Sequence, residues 1–415
     1  MQTSSKIYDV IVVGGGASGM MAAGVAGRRG KRVLLLEKND ELGKKLSITG
    51  GGRCNVTNAE EDEARFLKHY GDAADFLYSP FSQFGVKDTF EFFESHKLPL
   101  VVQARKRAFP HTERAVDVTR ILTRFLSDNQ VEVKTDCAVW KIQHAGEKIT
   151  GVKTNLGTFM ARVYIVATGG ISHPETGSSG DGIKWLKDLG HLVKKPSPTI
   201  VPLAAADPWV KDLAGVSLSF MKITFFVEGK KAFSEVGKVL FTHFGLSGPL
   251  ILNSSSKVGD LLQEGEVTAH IDAYPDTDLG SLDKHIVKVF NANKNKALKT
   301  VFKDITPAGT AKGIWLLLPD IDFETKVHSV SKEDRKKIVH LLKALPVAIT
   351  GLMGYDRAVI ADGGIELTEV DTKTMRSKRF ENLYVTGDLL HIKRPSGGYS
   401  LQLCWTTGFV AGNAV

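Results

Sequence analysis

The fold is decided by Tyr8-Asp9-Val10-Ile11-Val12-Val13-Gly14-Gly15-Gly16-Ala17-Ser18-Gly19, an apolar strand pattern that runs directly into a glycine loop. A helix-compatible stretch, Met20 to Arg29, follows the loop, and a second apolar run, Val33 to Leu36, ends at Glu37. Strand, glycine loop, helix and terminal acid in this order are the βαβ fingerprint of dinucleotide-binding folds. The sequence therefore predicts a Rossmann-like α/β fold rather than a glycine turn in an unrelated α/β protein.

Each part of this fingerprint has a physical role. Gly14 permits the tight turn, Gly16 has no side chain to keep a pyrophosphate away from the backbone, and Gly19 lets the helix pack close to the strand. The helix N-terminus offers free N–H groups and a partial positive charge to phosphates. The carboxylate of Glu37 is placed to accept hydrogen bonds from the ribose hydroxyls of an adenosine.

The composition is that of a globular protein with length for about two or three domains. Of the 415 residues, 42% are hydrophobic, which is enough for a substantial core. No apolar run is long enough to span a bilayer, and the first, Val10 to Val13, is too short for a signal peptide, so we expect a cytoplasmic protein. The net charge of +8 favours an anionic partner such as a phosphate-bearing cofactor or RNA, although a basic surface also serves solubility alone.

The cysteines argue against two kinds of site. Cys54, Cys137 and Cys404 form no C-x-x-C pair, which argues against a dithiol–disulfide reductase, and they do not cluster with histidines at metal-ligand spacing. We therefore predict no metal. A small buried residue is the ordinary role of each, but Cys54 stands out because it lies in the glycine-rich loop Thr49-Gly50-Gly51-Gly52-Arg53-Cys54-Asn55.

The residue patterns along the chain predict a domain whose sequence is interrupted by inserts. Residues 1–195 and 350–415 carry strand and helix patterns and are predicted to form the dinucleotide-binding domain. Residues 196–275 and 346–355 combine prolines with alternating strand patterns and are predicted to be a β-rich insert. Residues 276–345 are Lys-rich with helical spacing and are predicted to be a small helical insert.

Two further motifs follow buried strand patterns, Ala167-Thr168-Gly169-Gly170 and Thr386-Gly387-Asp388. Open α/β sheets bind their ligands beyond the carboxyl ends of the strands. Taken singly, each motif is an ordinary glycine turn after a strand. Taken with the fingerprint, they predict cofactor contacts at Thr168, Gly169, Gly170, Gly387 and Asp388.

Three strings give the chain a family resemblance: Gly-Gly-Gly-Arg-Cys-Asn at 50–55 with Thr57 and Asn58; Leu240-Phe241-Thr242-His243-Phe244-Gly245-Leu246-Ser247-Gly248-Pro249; and Gly397-Gly398-Tyr399-Ser400-Leu401-Gln402. With them the chain resembles, over essentially its whole length, the HI0933-like family of bacterial FAD-binding flavoproteins. The resemblance implies FAD as the cofactor. It also implies a FAD-binding domain interrupted by a β-barrel-like domain and a small helical domain.

The resemblance further implies which residues would contact FAD. These are Gly14, Gly16, Ala17, Ser18 and Gly19 at the pyrophosphate; Glu37 and Lys38 at the adenosine; Gly51, Gly52, Arg53, Cys54 and Asn55 beside the flavin half; Asp388 at the ribityl or phosphate region; and Gly398, Tyr399 and Ser400 near the isoalloxazine. The last helix begins near Ser400, and its N-terminus would stabilise an anionic reduced flavin.

The chain departs from the family pattern in three places. Gly387-Asp388 stands where the family has Gly-Glu, and Gly398-Tyr399-Ser400 stands where it has Gly-Gly-Tyr-Asn. Both changes keep polar character, so they predict altered hydrogen bonds with FAD retained. His391-Ile392-Lys393-Arg394-Pro395 replaces a more acidic pattern, which leaves the substrate open.

The function implied by the resemblance is that of a FAD-dependent reductase of a polarised C=C bond. No second glycine fingerprint is present, so NADH or NADPH would bind only transiently. Family members point to uridine in ribosomal RNA, reduced to dihydrouridine, and alternatively to an unsaturated small molecule such as a steroid acid. A non-catalytic flavin-bound RNA-binding factor and a flavin monooxygenase are further alternatives.

Candidate proton donors are His243 and Tyr399, because a histidine or a phenol can supply the proton that completes such a reduction. Other basic residues are candidate groups on the substrate side, although each is also an ordinary solvated residue. They are Arg105, Lys106, Arg107, His111, Arg114, Lys393 and Arg394.

Overall fold

The computed structural model describes residues 7–415. Its strands are β1 Ile7–Val13, β2 Val33–Leu36, β3 Thr57–Asn58, β4 Leu100–Gln103, β5 Arg107–Pro110, β6 Glu132–Lys134, β7 Val139–Ala145, β8 Lys148–Thr154, β9 Gly157–Val166, β10 Val193–Thr199, β11 Leu203–Ala205, β12 Ser217–Val227, β13 Lys230–Thr242, β14 Gly245–Ser247, β15 Val267–Asp272, β16 Leu345–Leu352, β17 Ile360–Ile365 and β18 Leu383–Val385. Its α-helices are α1 Ala17–Arg28, α2 Lys44–Ile48, α3 Glu63–Lys68, α4 Ala74–Gln83, α5 Val86–Ser95, α6 Ala115–Asp128, α7 Asp181–Asp188, α8 Pro208–Asp212, α9 Pro249–Glu264, α10 Leu279–Ala292, α11 Leu298–Val301, α12 Ala311–Trp315, α13 Lys332–Lys343 and α14 Tyr399–Ala414.

The centre of the first unit is a largely parallel sheet in the order β6-β2-β1-β9-β8-β7, with β18 also paired to β9. The parallel pairs are in register at their carboxyl ends: Val13 lies beside both Leu36 and Val166, and Val385 lies beside Val166. The ends of β1, β2, β9 and β18 therefore meet at one edge of the sheet. This is the edge at which open α/β sheets bind ligands.

The two ends of the chain are joined by a close helix pair, α1 with α14. A Cβ atom on Gly408 would lie 2.5 Å from the backbone oxygen of Ser18, and one on Gly412 would lie 2.4 Å from the backbone oxygen of Ala22. These distances leave no room for a side chain. The C-terminal helix is thus seated directly on the helix of the dinucleotide fingerprint.

A buried polar network fixes the start of α14. The side chain of Gln402 is fully buried, and its Oε1 accepts hydrogen bonds from the hydroxyls of Thr57 (2.7 Å) and Thr89 (2.9 Å). Its Nε2 donates to the oxygen of Gly85 (3.1 Å) and to Oγ1 of Thr406 (3.1 Å). Both ends of the amide are satisfied, which makes such a network rigid and costly to disturb.

The second unit contains a closed antiparallel barrel in the order β11-β14-β13-β12-β15-β16. Helices α10 to α13 occupy the stretch 276–345 that the sequence marks as Lys-rich and helical. Their apolar faces share one hydrophobic core with the barrel strands: Ile286 of α10 and Ile338 of α13 belong to the same cluster as Phe225, Phe241 and Ile271. The barrel and the helices therefore form one compact body.

The chain divides into two units, and the second is inserted in the sequence of the first. The first unit runs up to Pro198 and resumes at Val359–Val415, and the second is Thr199–Ala358. The first unit extends past 195 because β10 continues to Thr199 and pairs with β17. It resumes after 350 because β16 holds the chain in the barrel as far as Leu352.

The predicted fold class, a Rossmann-like domain interrupted by a barrel-like insert with helices, is confirmed. Residues Ala115–Asp128, in which apolar residues recur at helical spacing, form α6. The helical pattern of residues 64–96 is divided into α3, α4 and α5, because Gly71 takes a left-handed φ of 53° and Gly85, with an extended backbone, is the N-cap of α5. Within residues 7–415, no helix combines the length and the apolar character needed to span a membrane.

Candidate functional site

Three loops of the first unit meet where the parallel strands end. A Cβ atom on Gly14, after β1, would lie 2.6 Å from the oxygen of Ala167, which follows β9. One on Gly387, after β18, would lie 2.7 Å from Oγ of Ser18, and this buried hydroxyl is also 3.2 Å from Oγ1 of Thr386. The loops after β1, β9 and β18 therefore form the continuous floor of a cradle.

The fingerprint glycines divide into packing positions and an open position. Gly14 has φ of 108°, and a Cβ atom on Gly19 would lie only 1.9 Å from the oxygen of Gly14, so both serve the tight strand-to-helix turn. A Cβ atom on Gly16 would meet no atom of residues 7–415 within 4 Å. Gly16 precedes Ala17, the first residue of α1, and no described side chain caps that helix. Open space therefore faces a free helix N-terminus.

Glu37 directly follows β2, and its side chain is hydrogen-bonded to this glycine loop. Its side chain is 7% exposed, and Oε2 accepts the N–H of Gly15 at 2.7 Å. Oε1 accepts both the backbone N–H and the side-chain Nδ2 of Asn39 at 2.8 Å. The carboxylate is held in one orientation at the place where the sequence puts an adenosine ribose.

Lys38 lies at the outer side of the same corner. Its Nζ donates to Oγ of Ser179 (2.6 Å) and to Oδ2 of Asp181 (2.9 Å), the first residue of α7. Burial alone would raise the pKa of Asp181, but the hydrogen bonds from Ser179 and Lys38 lower it below its ordinary value. Lys38 is thereby tied to the loop that follows β9.

The loop at 49–55 presents bare backbone. Gly50, Gly51 and Gly52 have φ of 60°, 67° and 84°, and Cys54 has φ of 59°. All three glycines are exposed, and a Cβ atom on Gly51 or Gly52 would meet nothing in the described chain within 4 Å. Left-handed backbone of this kind strongly favours glycine and leaves room for a ligand to approach the main chain.

The next three residues of this loop differ in role. The guanidinium of Arg53 lies 4.4 Å from the centre of the Phe109 ring. Cys54 is fully buried, and burial raises the pKa of its thiol to about 12, against the opposing hydrogen bond with Thr49, so it is no thiolate nucleophile at neutral pH. Oδ1 of Asn55 is buried and finds no hydrogen-bond partner among residues 7–415.

The loop after β9 contributes a second unpartnered polar atom. Oγ1 of Thr168 is buried without a hydrogen-bond partner in the described chain. A Cβ atom on Gly169 would lie 3.7 Å from Nζ of Lys45, and one on Gly170 would lie 3.3 Å from the oxygen of Asp388. Lys45 Nζ also lies 3.8 Å from Oδ2 of Asp388, so a cation not identified from the sequence belongs to this corner.

A buried arginine couples the turn after β18 to the last helix. The side chain of Arg394 is 1% exposed, and its Nη2 donates to Oδ1 of Asp388. Its Nε donates to Oγ of Ser400 (2.9 Å) and its Nη1 to the oxygen of Ile392 (2.6 Å). The sequence placed Arg394 among the substrate-side candidates, whereas the structure gives its guanidinium three internal partners and a positioning role.

The backbone at the start of α14 packs directly against the backbone of β3. Gly397 and Gly398 have φ of 123° and 105°, and a Cβ atom on Gly398 would lie 2.3 Å from the carbonyl carbon of Thr57. No side chain within the described range caps the helix. The first N–H groups of a 16-residue helix are therefore uncapped at the cradle, where they favour negative charge.

Tyr399 anchors this helix start by aromatic packing. Its side chain is 6% exposed, and its ring lies 4.9 Å from that of Phe66 and 4.6 Å from that of His69, between ring centres. Burial, with a smaller effect from the charge of Glu60, raises the pKa of Tyr399 to about 12. The phenol is accordingly protonated throughout the neutral range.

His243 lies in the second unit, at the turn between β13 and β14. Its ring is exposed and meets the ring of Phe244 at 4.9 Å between centres. Gly245 makes this turn possible, since a Cβ atom there would lie 2.2 Å from the oxygen of Leu203. His243 and Tyr399 belong to different units, and a shared role for them stays a prediction.

The residues of the cradle fit a dinucleotide. Gly16, Gly51 and Gly52 leave open space beside the backbone, and α1 and α14 direct uncapped N-termini at this edge of the sheet. Asn55 and Thr168 each hold a buried polar atom without a partner in the described chain. The hydroxyl of Thr168 can donate to a phosphate or flavin oxygen, and Oδ1 of Asn55 can accept from an N–H group of a flavin.

Comparison with known proteins agrees with this geometry. The model of the family described as HI0933-like protein Rossmann domain matches residues 8–414. The chain belongs to the HI0933-like family. This HI0933-like protein is therefore a FAD-dependent oxidoreductase with a Rossmann fold, which confirms the flavoprotein predicted from the sequence.

Two relatives align with this HI0933-like protein over nearly its full length. The 3-dehydro-bile acid delta(4,6)-reductase of Clostridium scindens is 28% identical over 412 residues, which cover 97% of this chain and 98% of the relative. The ribosomal RNA dihydrouridine synthase of Escherichia coli is 26% identical over 406 residues, which cover 97% and 96%. Among solved structures, the 3-ketosteroid delta1-dehydrogenase from Sterolibacterium denitrificans has a TM-score of 0.53 at 15% identity, with 99% of both chains covered, and this likeness shows the fold alone.

Sequence reasoning missed the residues that hold the cradle in shape. Arg394, Lys45 and Gln402 reach their partners across the fold, and no spacing rule brings them together with Asp388, Ser400 or Thr57. Gln402 falls within the third family string and Arg394 was a substrate-side candidate, but the sequence indicated the structural role of neither. The role of Gln402 as a fully buried hydrogen-bond junction depends on tertiary contacts.

Proposed function

We propose that this HI0933-like protein reduces a C=C bond conjugated with a carbonyl group, and that its substrate is uridine in ribosomal RNA. The observation that supports this most is the nearly full-length match to relatives named for two such reductions. Dihydrouridine is uridine with two hydrogens added to a double bond next to a carbonyl. A 3-dehydro steroid with Δ4,6 unsaturation likewise has its double bonds conjugated with a ketone.

The cradle residues divide the work of holding FAD. Gly16 and the N-terminus of α1 would take the pyrophosphate, and Glu37 the adenosine ribose. Gly51 and Gly52 would lie against the flavin half, and the N-terminus of α14 beside the isoalloxazine. When bound, FAD supplies hydride transfer. The free N–H groups of α14 would stabilise negative charge that develops next to them.

Tyr399 and His243 are proposed for the accompanying proton. The Oη of Tyr399 carries a proton at neutral pH, since the ordinary pKa of a phenol is about 10 and burial raises that of Tyr399 to about 12. The exposed imidazole of His243 is of the residue type that most often exchanges protons near neutrality. Tyr399→Phe and His243→Gln separate the two, because only loss of the donor lowers the rate of substrate reduction while leaving reduction of the flavin unchanged.

An exposed basic cluster in the second unit supports an RNA substrate. Lys294, Lys296 and Lys326 are exposed and form no ion pair within the described residues. One side-chain and one backbone contact hold their loops together: Nδ1 of His328 lies 2.7 Å from the oxygen of Lys294, and the N–H of Val327 donates to the oxygen of Lys296 at 3.0 Å. Phosphates bound by such residues give affinity that falls steeply with salt. A ribosomal RNA substrate would also place the reaction in the cytoplasm.

An unsaturated steroid acid is the second candidate substrate. The 28% identity to the bile acid reductase over almost the whole chain favours it. A steroid would require a large apolar pocket beside the flavin and binding that is insensitive to salt. The third possibility, a flavin-bound RNA-binding factor without turnover, predicts RNA binding with no substrate-dependent reoxidation.

The donor is proposed to be NADH or NADPH, bound transiently. The support is the single βαβ dinucleotide fingerprint in the sequence, which leaves no dedicated nicotinamide domain of that type. Anaerobic mixing of the FAD-loaded protein with NADH or with NADPH, followed by visible flavin absorbance, identifies the donor. Failure of both to bleach the flavin would exclude this part of the proposal.

Turnover is tested by adding substrate to the anaerobically reduced protein. A ribosomal RNA fragment should reoxidise the flavin and gain dihydrouridine by mass spectrometry, whereas a 3-keto-Δ4,6 steroid acid should not. RNA from cells lacking the protein should lose dihydrouridine and regain it on complementation. Reoxidation by the steroid acid alone would support the second candidate, and reoxidation by neither would overturn the reductase proposal.

A further inference from the structure

A cluster of arginines lies on the β4–β5 hairpin beside the glycine-rich loop. Arg107 begins β5 and pairs across the sheet with Gln103, which accepts a hydrogen bond from Nη1 of Arg53 at 3.4 Å. Phe109 is two residues after Arg107 on the same strand, so their side chains share one face. The guanidinium of Arg53 lies over that same Phe109 ring, which brings it to the face of Arg107.

Arg105 joins the cluster through a turn that adopts an uncommon backbone. Arg105 and Lys106 have φ of 61° and 57°, which few residues other than glycine take up without a compensating reason. Two hydrogen bonds hold the turn: Asn58 Nδ2 donates to the oxygen of Arg105 (3.2 Å), and Ala59 donates to the oxygen of Lys106 (2.6 Å). The turn is therefore held by Asn58 of β3 and by Ala59, the residue after it.

The same asparagine connects the cluster to the start of α14. Nδ2 of Asn58 also donates to the oxygen of Gly397, at 3.3 Å. The arginine turn and the two glycines that begin α14 thus share one side-chain amide. The cluster lies beside the glycine-rich loop and the helix start that are assigned to the flavin half, whereas the pyrophosphate is assigned to the loop of Gly16. An anion bound here would belong to a second molecule.

The charges of the cluster are only partly balanced. Glu60 pairs with Lys106 (2.7 Å), and Glu113 lies 3.6 Å from Arg53. Arg105 and Arg107 have no ion pair among residues 7–415. Burial is the main cause that lowers the pKa of Arg107, and the like charges of Arg105 and Arg53 lower it further. A bound anion would relieve this repulsion.

We propose that Arg105 and Arg107, with Arg53 beside them, form a phosphate-binding site at the flavin end of the cradle. Guanidinium groups are the usual partners of phosphate because their N–H groups match its oxygens in pairs. The inference rests on the proposed function only for the molecule that carries the phosphate. That molecule is either the RNA that flanks the reduced uridine or the nicotinamide donor.

Binding to the oxidised, FAD-loaded protein tests the site without turnover. The probes are a fluorescein-labelled single-stranded oligoribonucleotide, followed by anisotropy, and NADP⁺ compared with NAD⁺, followed by calorimetry. The variants are Arg105→Asn, which suits the left-handed backbone, Arg107→Gln, and the two combined. The control is Arg124→Gln with Arg162→Gln, which removes two exposed arginines of the same unit outside the cluster.

We expect the double variant to keep its FAD and to bind one of the phosphate probes at least about tenfold more weakly. For RNA, the slope of log affinity against log salt should fall by about 0.7 for each arginine that contacts a phosphate. The control should stay within about twofold of the parent protein. Weaker binding of the oligoribonucleotide assigns the phosphate to RNA, and loss of the preference for NADP⁺ over NAD⁺ assigns it to the donor.

Unchanged affinity of the double variant for both probes would overturn the site, as would a parent protein that binds neither. If Arg107→Gln disturbs folding, the exposed Arg105→Asn variant decides alone. A protein that binds phosphate through these arginines but reduces neither uridine nor a steroid acid would retain the site while refuting the proposed function.

Discussion

Gly16→Ala should separate cofactor binding from folding, because the structure assigns Gly16 to open space and not to packing. Its backbone, with φ of −83° and ψ of −169°, suits any L-residue, and an added Cβ atom meets no atom of the described chain within 4 Å. The apoprotein should therefore gain about 0.4–1 kcal/mol from the lower entropy of the unfolded chain. In the holoprotein the same methyl group would occupy space that the pyrophosphate requires.

The cost to FAD binding follows from overpacking. A methyl group forced into a filled contact costs about 1–3 kcal/mol, which corresponds to a dissociation constant about 5- to 150-fold higher. Titration of apoprotein with FAD, followed by quenching of flavin fluorescence, measures this change. Thermal unfolding of the apoprotein measures the stability.

Gly19→Ala is the matched comparison for Gly16→Ala. A Cβ atom on Gly19 would lie 1.9 Å from the oxygen of Gly14, so α1 must move away from β1. We expect the Tm of this apoprotein to fall, whereas that of Gly16→Ala should not. A Gly16→Ala protein that binds FAD as tightly as the parent, or that unfolds as readily as Gly19→Ala, would refute the assignment of Gly16 to the pyrophosphate.

Three further substitutions test the supports of the cradle. Arg394→Met leaves the carboxylate of Asp388 without its buried partner and should cost about 3–5 kcal/mol in urea unfolding, with at least half recovered by adding Asp388→Asn. The pKa of Tyr399 is about 12 in the folded protein and 10.0 in the unfolded chain. The contribution of this phenol to the free energy of unfolding is therefore complete below pH 10 and is lost as the pH rises toward 12. Tyr399→Phe should remove up to about 2.7 kcal/mol of that loss at alkaline pH and should have the same Tm as the parent at pH 7. Gln402→Leu should cost about 2 kcal/mol or more because it removes four buried hydrogen bonds and leaves the Thr57 hydroxyl with only its 3.4 Å bond to the oxygen of Asn58, and an unchanged urea midpoint would contradict this.

The sequence was sufficient for the features that depend on local pattern. The run from Tyr8 to Gly19 determines a strand, a turn and a helix through contacts between near neighbours, and the structure has β1 and α1 there. The alternation near Met221 and the helical spacing of Ala115 to Asp128 are equally local, and β12 and α6 follow them. The order in which the strand ends meet follows from parallel pairing.

The remaining features depend on distant contacts. The bond from Arg394 to Asp388 requires the chain to turn back across a buried corner, and a lysine or arginine beside a proline gives no sign of burial. Gly408 packs closely against the backbone of Ser18, although the two residues are almost the full length of the chain apart. The turn at Arg105 is held by the side-chain amide of Asn58. The sequence marked Asn58 only as part of a family string and did not indicate this contact.

The interleaving of the first unit has a consequence for its synthesis. The chain leaves the ribosome from its amino end at about 5–20 residues per second, so β1, β2 and β9 emerge long before β18 and α14. The compact second unit, whose barrel and helices come from the middle of the chain, can complete its core in this interval. The apolar face of α1 is covered only after the 16 residues of α14 have been synthesised. A nascent chain stalled before α14 would therefore leave the apolar face of α1 exposed to chaperones and proteases.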